Sequence, residues 1–153
     1  MPPAFSPQTL RFLTHLAGSY QHWKGEALVA GQATLSPEAL GAALFEMPEP
    51  LVAHGVEADP IFCFGNRAAL TLWEMRWEDF TRLPSRMSAP PASATQQDRN
   101  RLMAEALTKG FVDDYAGLRV SATGRLFEIR DTVLWNVVDG QGRRLGQAAA
   151  VRG

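Results

Sequence analysis

Histidines are the side chains of this sequence best suited to bind a metal, and their spacing argues against a metal site. There are three, His15, His22 and His54. His15 and His22 would share a helix face but lie two turns apart, too far for one metal ion without outside ligands. His54 falls in a predicted strand, and we rank haem ligation by it far below a structural role. We therefore predict no metal site, no haem, and surface or interface positions for the two helical histidines.

The single cysteine, Cys63, lies between Phe62 and Phe64 in a short apolar run. A small thiol in such a run is typical of a buried strand, where cysteine behaves as an apolar side chain. One cysteine cannot form an internal disulfide or a four-cysteine zinc site, and it favours a reducing, cytoplasmic location.

Sequence signatures of catalysis are missing. The chain has no Gly-x-Ser-x-Gly elbow, no Gly-x-Gly-x-x-Gly loop and no Walker-type phosphate loop. Asp113-Asp114 is a pair of adjacent acids that could suggest acid–base work. Between a predicted helix and a predicted strand, such a pair is more typical of a solvated turn. We predict that the protein is not an enzyme and has no catalytic residues.

Tryptophan and arginine side chains are the remaining candidates for a binding site. Trp73 and Trp77 lie on predicted helices, and Trp135 lies in a long predicted strand. Arg67 and Arg86 are near the helical tryptophans. If either guanidinium points inward without an acidic partner, a ligand with a carboxylate would satisfy it; the alternative is a surface salt bridge, for instance with Glu74 or Asp79.

Composition narrows the class of protein. The chain has 153 residues, with 15 basic and 16 acidic side chains and 46% hydrophobic residues. This length predicts one globular domain, and the near-neutral charge argues against a nucleic-acid partner. No apolar run is long enough to span a membrane, and the first residues do not resemble a signal peptide. We therefore expect a cytoplasmic protein.

Helix-start signals appear twice in the first third of the chain. Ser6-Pro7 predicts a helix that ends at Gly25, and Ser36-Pro37 predicts a second one that ends before Pro48. Serine can cap the orphan amides of the first turn, and proline suits the first helical position.

A hairpin and two short helices are predicted next. Pro50–Val56 and Ile61–Phe64 are β-prone runs joined by a charged, proline-containing turn. Asn66 then caps a helix that runs through Trp73, and a second short helix covers Trp77–Phe80.

The second half of the chain is predicted as a loop, a helix and three strands. Ser88–Thr95 is a proline-rich loop and Gln96–Lys109 a helix. The strands are Tyr115–Ala122, Leu126–Val138 and Leu145–Val151. Because neither the hairpin nor this meander would be stable alone, we predict that they form one sheet. The predicted fold is α+β: a five-stranded antiparallel sheet with helices on one face, plus an N-terminal helical extension.

Three segments resemble the MEKHLA domain family: FGNRAALTLWEMRWEDFTRLPSRMSA, YAGLRVSATGRLFEI and GQAAAV. The resemblance covers roughly Leu10 to Val151 and is to the stand-alone bacterial type. The family is related to PAS domains, so the resemblance implies a PAS-like core over residues 49–153 and an extension over residues 1–48 that packs on it. The family also forms the C-terminal region of certain plant homeodomain–leucine-zipper transcription factors. No homeodomain or zipper heptads accompany the module here, so the DNA-binding role of those plant proteins does not transfer.

PAS relatives that sense light bind flavin through a cysteine in the helical segment after the second short helix. Here that segment reads Leu83-Pro84-Ser85-Arg86-Met87-Ser88, without cysteine. Ile129 and the run Ala148–Ala150 occupy the regions of the last strands where such sites place polar residues. The sequence argues against cysteinyl-flavin photochemistry and leaves the cofactor unknown.

The resemblance also implies where a ligand would bind, because PAS domains hold small molecules between the sheet and its covering helices. The side chains predicted to contact a ligand are Asn66, Arg67, Leu70, Trp73, Trp77, Ser85, Arg86 and Trp135. The favoured function is a sensory or regulatory module with an unidentified small molecule in a half-apolar cavity, as a homodimer or with a partner protein. The alternatives are a ligand-free interaction or dimerisation module and, third, a small α+β enzyme. The N-terminal helix fits packing on its own chain or on a second copy.

Overall fold

The computed structural model describes residues 3–152, apart from the side chain of Ser93. The α-helices are α1 (Pro7–Lys24), α2 (Pro37–Glu46), α3 (Arg67–Trp73), α4 (Trp77–Phe80) and α5 (Ser93–Lys109). The strands are β1 (Leu51–His54), β2 (Phe62–Gly65), β3 (Phe111–Val120), β4 (Leu126–Val138) and β5 (Arg144–Ala150). Short 3₁₀ turns cover Gln32–Thr34 and Ser85–Ser88.

The strands form one antiparallel sheet of five strands in the order β2-β1-β5-β4-β3. The hairpin joins the meander through β1 and β5, where Val52 lies opposite Ala149. The predicted α+β fold with a five-stranded antiparallel sheet is confirmed. Through this pairing the hairpin gains a neighbouring strand and loses one open edge.

The helix starts lie where the sequence predicts them. The side chains of Ser6, Ser36 and Asn66 accept hydrogen bonds from the first turns of α1, α2 and α3. Gly25 ends α1 in the left-handed conformation with a φ of 74°, which costs glycine nothing. These signals act over three or four residues, so they depend little on the remainder of the fold.

Helices cover both faces of the sheet. α1 and α2 lie on one face, where Trp135 Nε1 donates to the carbonyl of Leu16 at 3.1 Å and Val138 N donates to Ser19 Oγ at 2.9 Å. α3, α4 and α5 lie over the other face. The N-terminal helix therefore packs on the sheet of its own chain.

Several element boundaries differ from the predictions. α5 begins at Ser93 rather than Gln96, and β1 ends at His54 rather than Val56. The two 3₁₀ turns were not predicted.

The largest difference concerns Asp113-Asp114, which is not a turn before a strand. β3 begins at Phe111, and the two acids lie inside it at an irregularity in its pairing with β4, where Asp114 has a φ of 61°. Asp113 accepts a hydrogen bond from Lys24 Nζ at 2.8 Å. A bulge leaves side chains exposed within a strand, and local sequence does not distinguish this from a turn.

Candidate functional site

An interior cavity of about 50 Å³ lies between the sheet and the helices α3 and α5. Apolar side chains of the sheet, including Val52, Leu134 and Ala149, form much of its wall. Five polar side chains also line it: His54, Ser88, Arg99, Tyr115 and Arg119. The cavity wall is thus mainly apolar, and its polar groups come from β1, α5, β3 and the Ser85–Ser88 turn.

His54 ends β1 and is 6% exposed. Its Nδ1 lies 2.9 Å from the carbonyl of Gly55, and since a carbonyl only accepts, Nδ1 carries the hydrogen. Burial lowers the pKa of His54, so the ring is neutral at pH 7. Nε2 is therefore a hydrogen-bond acceptor, and among the described residues it has no partner. A buried polar atom without a partner is unusual in a folded protein and requires an explanation.

Arg99 enters the cavity from α5 and is 8% exposed. Its Nη2 donates to Ser85 Oγ at 2.7 Å. Burial lowers the pKa of Arg99 to about 10, which still leaves the guanidinium charged at pH 7. Tyr115 and Asp59 act on this pKa in the opposite direction, whereas the nearby charge of Arg119 lowers it further, because two cations repel each other.

Arg119 enters from β3 and is 5% exposed. Its Nη1 donates to the carbonyl of Leu118 at 2.8 Å, and its Nη2 donates to Tyr115 Oη. Within residues 3–152, neither Arg99 nor Arg119 forms an ion pair with a carboxylate. The cavity therefore holds two positive charges with no protein counter-charge in contact.

Local sequence explains why these two arginines point inward. Arg99, Met103 and Ala106 recur at helical spacing, which places them on the face of α5 that meets the sheet. Tyr115, Gly117 and Arg119 alternate along β3 and share one face. Gly117 makes room for the guanidinium, because a Cβ there would lie 2.9 Å from Arg119 Nη1.

Replacing Arg99 with methionine is expected to raise the free energy of unfolding of the ligand-free protein by about 1–2 kcal/mol. An unpaired buried guanidinium costs more than its hydrogen bond to Ser85 returns, and methionine fills a similar volume. Urea denaturation measures the change. Arg86→Met is the matched control, expected within about 0.5 kcal/mol of wild type because Arg86 is exposed. A loss of stability in Arg99→Met would contradict this reasoning.

Two of the predicted ligand-contacting residues lie at the cavity. Trp73 lines it, and its Nε1 donates to the carbonyl of Ser88 at 3.2 Å. Ser85 is buried beside it and accepts the hydrogen bond from Arg99.

The predicted arginines lie on the surface instead. Arg67 pairs with Glu46 and Arg86 pairs with Asp59. The alternative of surface salt bridges is correct for both, but with partners other than Glu74 and Asp79. Exposed pairs of this kind contribute about 0–1 kcal/mol. The charges that face the cavity belong to Arg99 and Arg119. These two were not among the predicted ligand-contacting residues, although their spacing in sequence places them on inward faces.

The other predicted residues lie away from the polar wall. Trp135 packs on the opposite face of the sheet under α1, with its ring centroid 4.9 Å from that of Tyr20. Trp77 packs with Phe64, at 5.7 Å between ring centroids, and Leu70 is partly buried between the two core clusters. Asn66 makes hydrogen bonds that join α2, β1 and α3. The structure does not bring the predicted set together at one place.

Polar side chains do occur on the cavity face of the last strands, contrary to the expectation from sequence. Asn136 Nδ2 donates to the carbonyl of Ala106 at 3.0 Å. Gln147 Nε2 donates to Asn136 Oδ1 at 3.1 Å and to the carbonyl of Met103 at 3.2 Å. These amides join β4 and β5 to α5 next to the cavity.

The cavity does not fit a flavin or a haem. A cavity of about 150 Å³ holds a single benzene ring, whereas this one has about 50 Å³. Cys63 packs with the core on the α1 face, and burial raises the pKa of its thiol to about 12. A protonated thiol on the wrong face of the sheet is not placed to react with a ligand in the cavity.

Clusters of metal ligands and membrane-spanning helices are both absent from residues 3–152. No three histidine, cysteine, aspartate or glutamate side chains in this part of the chain form a group that could hold a metal ion. No helix there is both long and apolar enough to cross a membrane.

Comparisons with known proteins agree on the family and the fold. The family model described as MEKHLA domain matches residues 10–153. No curated protein matches the chain.

Solved structures of PAS and LOV domains are similar to this one. A PAS domain from Colwellia psychrerythraea matches with a TM-score of 0.63 and 13% identity, over 73% of this chain and 91% of that one. A light-oxygen-voltage domain matches with a TM-score of 0.58 and 16% identity, over 74% of this chain and 80% of that one. An RNA-binding light-oxygen-voltage receptor matches with a TM-score of 0.65 and 18% identity, over 82% of this chain and 35% of the receptor. Identities this low show the fold alone.

Proposed function

The chain belongs to the MEKHLA domain family, and we propose that it is a sensory or regulatory module that binds a small molecule in the cavity beneath α5. The fold is that of PAS and LOV domains. The observation that carries the proposal is the buried Nε2 of His54, a hydrogen-bond acceptor in the cavity wall without a partner among the described residues. A ligand with a donor group would satisfy it.

A binding role is favoured over catalysis. Among the described residues that line the cavity, none is an aspartate or glutamate, so no carboxylate is available there as a general acid or base. A ligand-free interaction module is less well supported, since the sheet face that such a module would use is covered by α1 and α2 of the same chain.

α5 is the element that we expect to respond to the ligand. Of its described residues only Arg99 and Ala106 are buried, so little apolar area holds it to the sheet. Besides the packing of Leu102, Met103 and Ala106, it is attached by polar contacts beside the cavity, from Ser85, Asn136 and Gln147. A ligand that changes those contacts would shift the position of α5, which a partner protein could recognise.

Native mass spectrometry of protein purified from cells tests the proposal. We expect a mass above that of the chain which falls to the chain mass on denaturation. Ala149→Leu, which fills the cavity wall, is the control and is expected to be bare. A doubled mass would indicate the predicted homodimer. Bare wild-type protein that no small-molecule probe stabilises in a thermal-shift assay would contradict the proposal.

A further inference from the structure

The charge in the cavity indicates the charge of its ligand. Arg99 and Arg119 are both nearly fully buried, and neither has a carboxylate partner within residues 3–152. Buried charges in proteins are normally paired. A guanidinium matches a carboxylate in geometry as well as charge. A ligand carboxylate would supply the missing counter-charge and reduce the repulsion between the two cations.

His54 adds a second requirement, a hydrogen-bond donor. Its Nδ1 is used by the carbonyl of Gly55, so Nε2 can only accept from the ligand while the ring is neutral. An ammonium group there would be repelled by the charge of Arg99. The charges of Arg99 and Arg144 also lower the pKa of His54, whereas the charge of Glu57 raises it. A neutral hydroxyl is the donor that suits this position.

The size of the cavity restricts the ligand to a few non-hydrogen atoms. Its volume of about 50 Å³ is about a third of that of a cavity that holds benzene, so a ligand of five non-hydrogen atoms such as glycolate requires the cavity to enlarge. Water could satisfy His54 but brings no charge to the guanidinium groups. Binding of a larger ligand therefore includes a displacement of α5 away from the sheet.

We infer that the ligand is a small hydroxycarboxylate, with its carboxylate held by Arg99 and Arg119 and its hydroxyl donating to Nε2 of His54. This inference rests on the proposed function, because it identifies the chemical class of the ligand that the module would bind.

Titration calorimetry with glycolate, acetate and glycine near pH 7.5 tests the assignment. Glycolate carries both groups, acetate lacks the hydroxyl, and glycine replaces the hydroxyl with an ammonium. We expect glycolate to bind about tenfold more tightly than acetate, the effect of one hydrogen bond to a buried acceptor, and glycine more weakly than acetate.

Variants assign the roles to individual side chains. Arg99→Gln and Arg119→Gln are each expected to weaken glycolate and acetate binding by about 30-fold or more, since each loses a charged hydrogen bond. His54→Phe is expected to lower glycolate affinity to that of acetate while leaving acetate unchanged. Arg86→Gln is the matched control, an exposed arginine that should leave all affinities unchanged. Arg119→Lys keeps the charge and should retain part of the affinity if Arg119→Gln fails to fold.

The outcomes separate this inference from the proposed function. If the neutral analogue glycolamide binds as tightly as glycolate, or if Arg86→Gln weakens binding as much as Arg99→Gln, the anion assignment is wrong and the cavity still binds a small molecule. If no probe binds and the protein from cells is bare, water alone occupies the cavity and both proposals fail.

Discussion

Asn66→Ala is expected to lower the free energy of unfolding by about 4 kcal/mol. The Asn66 amide is fully buried and joins three elements. Its Oδ1 accepts from Leu51 N at 2.9 Å and from Ala69 N at 3.0 Å. Its Nδ2 donates to the carbonyls of Leu44 at 3.2 Å and Glu49 at 2.9 Å. Alanine would leave buried backbone groups of α2, β1 and α3 without partners, and each costs about 1–3 kcal/mol.

Ser36→Ala is the matched control, because Ser36 caps α2 through a single exposed hydrogen bond to Ala39 N at 3.1 Å. A cap of this kind is worth about 1 kcal/mol. Urea denaturation of both variants measures their losses in the free energy of unfolding. The difference between the two losses is the contribution of the tertiary hydrogen bonds of Asn66. Equal losses in the two variants would show that the tertiary hydrogen bonds contribute nothing.

Gly146→Ala is expected to destabilise the protein by about 3 kcal/mol or more. A Cβ on Gly146 would lie 2.1 Å from the carbonyl oxygen of His54, and this oxygen belongs to the backbone, which cannot rotate away. Strands β1 and β5 would have to separate. Because His54 ends β1, the same change would displace its ring from the cavity wall, so glycolate binding should also be lost.

Gly18→Ala provides a control of opposite sign. Gly18 is exposed within α1, and nothing lies within 4 Å of a Cβ placed there. Alanine suits a helix better than glycine, so stability should increase by about 1 kcal/mol. Thermal and urea denaturation of the two variants measure whether each change lowers or raises the stability of the protein. Wild-type stability in Gly146→Ala would contradict the close approach of β5 to β1.

Much of the fold could be predicted because its signals are local. Ser6-Pro7, Ser36-Pro37 and Asn66 set the starts of three helices through bonds within one turn. β-prone runs separated by turn residues indicated the strands. The bounds of β3 could not be predicted, because Asp113-Asp114 lies at a bulge whose formation depends on the partner strand β4.

The candidate site was harder to predict because it depends on which face each side chain occupies. Trp135 was expected in the cavity, yet Leu134 lines it and Trp135 lies under α1. In a strand, one residue of difference moves a side chain to the other face of the sheet. The same limit led the prediction to Arg67 and Arg86, which sit near the tryptophans in sequence but on the surface in the fold.

Short-range chemistry was therefore sufficient for the helix starts, the presence of the strands and the family, since caps and turns involve neighbouring residues. The grouping of His54, Arg99, Tyr115 and Arg119 around one cavity required the folded chain. These side chains come from β1, α5 and β3, and only the pairing of β1 with β5 and the packing of α5 bring them together. The burial of Arg99 and Arg119 without a carboxylate partner is likewise a property of the tertiary structure, because it depends on the position of every acidic side chain in the described chain.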